Sequence, residues 1–563
     1  MKEIIIKSLV KATGLTKEEV ENLLEVPSNE ALGDYAFPCF ILSKKLKKSP
    51  ADIAKDLVGK ISSKDFKGIE SVGPYINFFA KRGELVKKIL DDVLKLKDDY
   101  GKNQEDRGKK VMIEFPSPNT NKPLHLGHIR NMALGESLSR IKEFCANKVI
   151  RANLNNDRGV HISKSMLAYK LWGQPKGDTP EKSGLKSDHF IGKYYVMFGN
   201  EAKVNPKLED EAQDMLRAWE KGDKEVMRLW ILMNGWALEG FRKTYGTFGI
   251  KHDKEYFESE IYKEGKDLIL KGLEEGKFIK KDGAIIFDLS EEGLGEKVLI
   301  RSDGTSVYIT QDVALAKMKY DEFGLDESMY VVGNEQDYHF RVLQNLVKTL
   351  GIKSLNHLSY GMVNLPDGRM KSREGTVVDA DDLIDEVKGL VKKEILLRFP
   401  DIKGADVEKR SLVIALASIK YFILRVGASR NMLYNPRESI SFEGNTGPYL
   451  LYSYARACSI LRKAKELKKG GDLVVDGVGD SEYSLIKKLG MFGSVILQAR
   501  EKLDPSIIAN YAYDLAKAFS EFYQASQVLG SDEENYRLKL VEAFTHVMKN
   551  ALYLLGIEAI SEM

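Results

Sequence analysis

The stretch Val111-Met-Ile-Glu-Phe-Pro-Ser-Pro-Asn-Thr-Asn-Lys-Pro-Leu-His-Leu-Gly-His128 decides the fold. Its first five residues are a short apolar run suited to a strand buried on both faces. The Pro- and Asn-rich segment behind them is turn-like. Over residues 125–147 the apolar positions take helical spacing, and residues 148–153 read as the next strand. Strand, loop, helix and strand open a doubly wound parallel sheet. Such a sheet receives its ligand at the first strand-to-helix turn. The helix start there presents free N–H groups and a partial positive charge that favour phosphate. His125 and His128 flank Leu126-Gly127 at that point, and their imidazoles can donate to phosphate oxygens as charge develops. Gly127 leaves the backbone open to a flat base. A lone pair of histidines at a helix start is as readily surface decoration as a ligand site; Asn119 and Lys122 just before this pair favour the phosphate reading.

A second segment, Gly368-Arg-Met-Lys-Ser-Arg-Glu-Gly375, follows the last apolar strand. Arg369, Lys371 and Arg373 alternate with Met370 and Ser372 between glycines, a basic loop suited to gripping a triphosphate. On its own it reads as a solvated loop; beside the histidine segment it becomes specific.

Outward from these two segments the organisation is legible. Residues 1–96 form a small α+β unit, with helices over 4–10, 15–24 (Thr16 as N-cap), 53–61 and 83–96, a loop over 33–38 and a strand over 72–79. Residues 97–110 read as a linker. Residues 111–385 form the doubly wound domain, with further strands expected at 284–289, 298–301, 330–332 and 358–363. A helical insertion over about 160–254 splits that sheet and carries Trp172, Trp219, Trp230 and Trp236. Residues 400–563 read as an all-α domain of five helices, over 407–426, 448–468, 481–502, 505–529 and 536–555.

Composition excludes several classes. The 563 residues allow three or four domains and a large core. A hydrophobic fraction of 43% with 30% charged residues excludes disorder, a collagen and a coiled-coil rod. No apolar run approaches the ~20 residues of a membrane span. The opening Met1-Lys-Glu-Ile-Ile-Ile-Lys7 is broken by charge too early for a secretory signal, and no transit peptide is expected. The net charge of +3 and pI near 8.3 give no vote for nucleic acid as a whole-chain average. Cys39, Cys145 and Cys458 form no metal-ligand pair, which argues for a reducing, cytoplasmic compartment.

The two segments resemble the "HIGH" and "KMSKS" signatures of class I aminoacyl-tRNA synthetases. The wider wording resembles the arginyl-tRNA synthetase family. It includes Ser117 to Asn131, Asn156-Asp-Arg-Gly159, Asp188-His-Phe-Ile-Gly-Lys-Tyr-Tyr195 and Arg301-Ser-Asp-Gly-Thr-Ser-Val-Tyr308. It also includes Tyr330-Val-Val-Gly-Asn-Glu-Gln336, Ile440-Ser-Phe-Glu-Gly-Asn-Thr-Gly-Pro-Tyr449 and Ala551-Leu-Tyr-Leu-Leu-Gly-Ile557. Gly33-Asp-Tyr-Ala36 and Gly73-Pro-Tyr-Ile-Asn77 extend the resemblance into the family's additional tRNA-contacting domain.

The resemblance implies a Rossmann-type catalytic domain, a helical-bundle anticodon-binding domain and a monomer. The implied partners are ATP with Mg²⁺, L-arginine and tRNA(Arg), with no dedicated metal site and no membrane. The implied reaction is ATP-dependent activation of arginine to arginyl-adenylate and transfer to the 3′ end of tRNA(Arg). Ser372 stands where most class members carry a second signature lysine, and the family's substitute is a lysine before the histidines, here Lys122. The implied catalytic set is Lys122, His125, His128, Lys371 and Arg373. The implied ATP-binding set is Pro118, Asn119, His125, Gly127, His128, Met362, Val363, Met370 and Ser372.

A guanidinium carries five donors and no acceptor, so its pocket needs carboxylates and amide or phenolic oxygens. Glu114, Asn119, Tyr308, Asp312 and Gln336 supply them and match the family's arginine-holding positions. By resemblance, Asn119, Gln336 and His128 hold the α-amino and carboxylate end, Tyr308 and Asp312 face the guanidinium, and Glu114 lies near either end. The basic clusters Lys44-Lys-Leu-Lys-Lys48 and Arg462-Lys-Ala-Lys465 with Lys468 and Lys469 are candidate tRNA contacts, as are Tyr449, Tyr452, Tyr454, Tyr511, Tyr513, Phe519, Phe522 and Tyr523 for anticodon stacking. Rival readings are a class I synthetase for lysine or glutamate, a small-molecule nucleotidyltransferase with the same histidine signature, and an inactive tRNA-binding paralogue.

Overall fold

Val111, Met112 and Ile113 are fully buried in the computed structural model, as a strand covered on both faces requires. They belong to β1 (Lys110–Glu114), the centre of a five-stranded sheet with β2 (Lys148–Asn155), β3 (Lys254–Phe257), β4 (Glu327–Gly333) and β5 (Leu355–Tyr360). The order is β5-β4-β1-β2-β3, and every pairing is parallel. The chain winds outward on one side of β1 through β2 and β3, then returns to the other side for β4 and β5. The order therefore reverses between β1 and β4, and a ligand crevice opens beyond the carboxyl ends of those two strands. The structure describes all residues except 1, 26, 28–31, 65, 81, 354, 366–377, 399, 401 and 467–477.

The helix Leu126–Phe144 follows β1 and is buried along nearly its whole length, including Ile129, Met132, Leu134, Leu138 and Ile141. Gly135 brings it against the sheet, since a Cβ there would collide with the Phe115 ring. The expected insertion is helical: Val160–Ala168, Ser187–Val204, Lys207–Glu220 and Lys224–Phe248. Its core joins Ile162, Met166, Phe190, Tyr194, Phe198, Trp219 and Met233, with Trp172, Trp230 and Trp236 packed against it.

Several expectations needed correction. Residues 284–289 and 298–301 are not strands of the parallel sheet. Ala284–Leu289 and Gly295–Ile300 form an antiparallel three-stranded sheet with Ile279–Lys281. The connection between the two strands is too short for a parallel crossover, which takes a dozen or more residues. This small sheet packs on the helices Tyr308–Phe323 and Asp337–Thr349 through Phe287, Leu299, Val313 and Leu343. The strand expected over 358–363 divides into β5 and a two-residue strand, Val363–Asn364, paired in parallel with Met432–Leu433. The edge strand β3 was not expected at all.

The chain forms two compact units. One comprises Met1–Tyr100, Ala457–Met491 and Lys517–Val547; the other comprises Gly101–Arg456, Phe492–Ala516 and Met548–Met563. In the first, the residues read as a loop at 33–38 include an edge strand, Tyr35–Pro38. It pairs with Tyr75–Ala80, which also pairs with Phe66–Val72. Pro38 is tolerated because it ends an edge strand. Thr16 caps the helix Lys17–Leu23 as expected, with Glu19 completing a capping box. After Ala380–Arg398 the helices are Gly404–Leu424, Gly447–Glu466, Asp480–Lys502, Ser506–Ala525 and Glu534–Leu554, with the short helix Pro436–Ser439 between the first two. Among the described residues, no helix is long and apolar enough to cross a membrane.

Candidate active site

The residues that follow the strand ends converge at the reversal of the sheet. Pro118 to Thr120 lie beside Asn156 after β2: Asn156 N–H donates to the Pro118 carbonyl at 3.0 Å and Thr120 N–H donates to the Asn156 carbonyl at 3.1 Å. Asn156 Nδ2 donates to the Ser117 carbonyl, and Asn153 Oδ1 accepts from Ser117 N–H, both at 3.0 Å. This lattice fixes the loop and leaves the Asn119 side chain exposed.

The two histidines cap their own helix. His125 is the N-cap, and its Nδ1 accepts from Gly127 N–H at 3.1 Å. His128 Nδ1 accepts from His125 N–H, also at 3.1 Å. The rings lie 3.9 Å apart between centroids. Burial and the nearby Lys122 push His125 down to about 4. Burial, then His125 and Lys122, push His128 well below the ordinary histidine value. Burial also lowers Lys122. Both imidazoles are therefore neutral at pH 7. With both Nδ1 atoms accepting, each proton sits on Nε2, so two Nε2–H donors are set beside an ammonium at a helix N-terminus. Gly127 has a different use from the one expected: a Cβ there would lie 3.0 Å from His125 Cε1 and 3.1 Å from its Nδ1. The imidazole, not an open backbone, occupies that space.

Leu124 to Leu126 are held on their other side by the chain that follows the basic segment. Leu126 N–H donates to the Val378 carbonyl and Ala380 N–H to the Leu124 carbonyl, both at 2.9 Å. Lys371 and Arg373, with Arg369, Met370 and Ser372, lie outside the described residues, as do Lys468 and Lys469. Met362 and Val363 follow β5; the Val363 side chain is buried and Met362 is partly exposed.

Tyr308 opens its helix and is 75% exposed, free to meet a ligand. Asp312, one turn on, accepts from His339 Nε2 at 2.7 Å, and this contact raises the histidine's pKa. Gln336 closes the short turn after β4 and is exposed. Glu114 is placed differently from Tyr308, Asp312 and Gln336, being buried. Its carboxylate is bonded to the buried ammonium of Lys319, which also donates to Tyr330 Oη at 3.1 Å. Burial opposes the Lys319 charge, but Glu114 and Tyr330 outweigh it and raise its pKa. Glu114 thus has a partner inside the protein before any ligand arrives.

Glu258 was missed. It follows β3 directly, and burial, reinforced by Asp157 and Asp312 and opposed by Arg158, raises it to about 7. When ionised, Glu258 adds its negative charge to those of Asp157 and Asp312. The signal was one carboxylate after an aromatic pair, Tyr256-Phe257, in a four-residue strand too short to show a period. Asp157 braces this corner: Ser259 donates to it through N–H at 2.8 Å and Oγ at 2.7 Å, and Trp230 Nε1 donates to its carbonyl at 2.7 Å.

By donor type Asp188, His189 and Asp381 could hold a cation. Lys186 Nζ lies among them, 3.1 Å from Asp188 and 2.6 Å from Asp381, and already supplies positive charge. Among the candidate nucleic-acid contacts, Phe519 and Phe522 are core and Tyr511 is buried, whereas Tyr452 and Tyr523 are exposed. Lys44, Lys45, Lys47, Lys48, Arg462, Lys463 and Lys465 are exposed.

A parallel sheet with a histidine-capped helix at its reversal is the architecture of class I aminoacyl-tRNA synthetases, and a matching family model assigns the chain to that class. Residues 89–434 match the family model for tRNA synthetases class I (R), catalytic domain. Residues 450–563 match the DALR anticodon binding domain, and residues 1–80 the arginyl tRNA synthetase N terminal domain. The arginine–tRNA ligase of Treponema denticola is 48% identical over 551 residues, covering 94% of this chain and 93% of its own. That of Borrelia hermsii is 42% identical over 582 residues, covering 100% of this chain and 99% of its own. The solved arginyl-tRNA synthetase of Thermus thermophilus superposes with a TM-score of 0.83 at 25% identity, covering all of both chains. The chain belongs to the arginyl-tRNA synthetase family.

Proposed function

We propose that the protein is an arginine–tRNA ligase whose chemistry is carried by the site at the reversal of the sheet. The arginine carboxylate attacks the α-phosphate of ATP, pyrophosphate leaves, and arginyl-adenylate forms. The 2′-OH of the terminal adenosine of tRNA(Arg) then attacks the activated carbonyl and AMP leaves. No covalent enzyme intermediate is needed, so catalysis is positioning and charge stabilisation.

The neutral imidazoles of His125 and His128 donate through Nε2–H to phosphate oxygens. Lys122 supplies the ammonium that Ser372 does not, and Lys371 and Arg373 grip the leaving phosphates. Pro118, Asn119, Gly127, Met362, Val363, Met370 and Ser372 make up the nucleotide-binding set. Asn119, His128 and Gln336 hold the amino-acid end of arginine; Tyr308, Asp312 and Glu258 hold its guanidinium. Glu114 acts there through the carboxylate oxygen that Lys319 leaves. Mg²⁺ enters with ATP as part of the substrate. Binding of tRNA precedes activation. Residues 1–96 are the tRNA-contacting domain, joined by a linker at 97–110 to a catalytic domain at 111–385, and residues 400–563 are the anticodon-binding domain. The enzyme works as a cytoplasmic monomer.

The observation that carries this reading is the pair of neutral Nε2–H donors beside Lys122. Lys122→Ala should lower tRNA-stimulated, arginine-dependent ATP–pyrophosphate exchange by roughly 10²–10³ while tRNA affinity is largely kept. Near-wild-type exchange in that variant overturns the role of Lys122.

A further inference from the structure

Two residues beyond the histidine pair, Arg130 is fully buried and, among the described residues, faces no carboxylate. Its guanidinium is spent on main-chain carbonyls. Nη1 donates to Gly361 at 2.7 Å and Met362 at 3.4 Å; Nη2 donates to Gly427 at 3.3 Å, Ala428 at 2.9 Å and Arg430 at 2.8 Å. Nε has no partner. A buried charge met only by dipoles is a costly way to fill space, and an apolar side chain of similar volume is usually cheaper. Burial lowers the guanidinium to about 10, which leaves it charged at neutral pH.

The five carbonyls belong to two separate segments, which run on into the paired strands Val363–Asn364 and Met432–Leu433. Gly361 N–H donates to the Ala428 carbonyl at 3.0 Å, and Met432 N–H donates to the Met362 carbonyl at 2.9 Å. Met362 N–H donates to Asn431 Oδ1 at 2.8 Å. A Cβ on Gly361 would sit 2.5 Å from the Arg430 carbonyl carbon, so the segments touch backbone to backbone. The next residue on the helix acts alike: Asn131 Nδ2 donates to the Val331 carbonyl of β4 at 2.6 Å and to Tyr360 Oη of β5 at 3.3 Å. Only a planar fork can address both segments at once; a lysine offers a single ammonium.

We infer that Arg130 is a positioning residue that sets the nucleotide-facing edge Gly361–Val363 at a fixed height relative to the histidine helix. It touches no substrate. It fixes the two halves of the ATP site, His125 and His128 on one side and the end of β5 on the other, through the side chain that joins them. This rests on the assignment of Met362 and Val363 to the nucleotide.

The test uses the full-length enzyme with Arg130→Lys and Arg130→Met, the first kept in case the second does not fold. Steady-state exchange is read well below the melting temperature. KM for ATP should rise ~10-fold or more and kcat should fall, with KM for arginine and tRNA affinity unchanged, because a displaced edge weakens the reacting geometry. Lys should not rescue. In parallel, amide exchange of the wild-type enzyme with and without ATP should show protection over residues 361–364. Protection with unchanged ATP kinetics in both variants, even with a lowered Tm, overturns the inference and leaves the nucleotide assignment standing. Absence of protection overturns the assignment and the inference with it.

Discussion

The backbone N–H of His125 donates to Nδ1 of His128 at 3.1 Å, so the first signature histidine orients the second. His125 in turn spends its own Nδ1 on Gly127 N–H at 3.1 Å. The pair is a helix cap and a two-pronged donor in the same atoms, which is why the spacing between the histidines is three.

His128→Ala should lower kcat by about 10²–10³, the usual loss for one donor to developing charge. Because burial holds His125 at about 4 and His128 well below its ordinary value, both are neutral and competent across neutral pH. Protonation of His125 as pH falls toward 4 keeps its Nε2–H but takes away the Nδ1 acceptor that caps Gly127, so the orientation of the pair is lost only there. At saturating arginine, kcat should therefore show no inflection near 6.5. An inflection there that disappears in the His125→Asn variant contradicts this assignment.

Arginine affinity should depend on pH through Glu258. Burial first, then Asp157 and Asp312, raise its folded pKa to about 7 against 4.5 for an ordinary glutamate. In the free protein this group's contribution to stability is present below 4.5 and is lost as pH rises through about 7. A bound guanidinium favours the ionised form, so arginine binding should release a proton below 7. Affinity should fall by up to ~10-fold per pH unit below 7 and level off above it. His339, raised by its bond to Asp312, acts in the same sense, since its protonated form neutralises that carboxylate. Titration calorimetry with arginine at several pH values reads this directly. A flat profile, or one unchanged by Glu258→Gln, removes Glu258 from the pocket.

Lys319→Met should destabilise the protein by about 3–5 kcal/mol, because Glu114 would be left buried without its cation. The double variant with Glu114→Gln should recover most of that loss in thermal unfolding. A single variant within about 1 kcal/mol of wild type would mean that the pair is not structural, a change at the scale of a surface substitution.

Gly135→Ala should cost about 1–3 kcal/mol, since its methyl group meets the Phe115 ring at the seam of helix and β1. Melting temperature tests it. An unchanged or raised Tm would show that helix propensity outweighs the clash.

Much of this was legible from the residues. Val111 to His128 declared the strand, the turn and the helix start because each signal is local: an apolar run, Pro and Asn, then apolar positions at helical spacing; that His125 caps the helix was not read. The helices of the insertion and the carboxyl-terminal part carried enough periodic positions to be read. What escaped is what depends on pairing. The strand Ala284–Leu289 looks the same in a parallel or an antiparallel sheet, and only its short link to Gly295–Ile300 distinguishes them. β3 is four residues long and half-exposed at a sheet edge. Glu114 reads as a free acid in sequence, because Lys319 lies 205 residues away. Arg130 sits in plain view in the histidine segment, yet its five acceptors are main-chain carbonyls, which leave no trace in side-chain patterns.

The most direct test is aminoacylation of tRNA(Arg) with radiolabelled amino acids, with and without prior incubation of enzyme and tRNA. The account predicts charging with arginine, none with lysine or glutamate, and no arginine-dependent pyrophosphate exchange until tRNA is bound. Failure to charge with arginine, or charging with lysine or glutamate in its place, would contradict it.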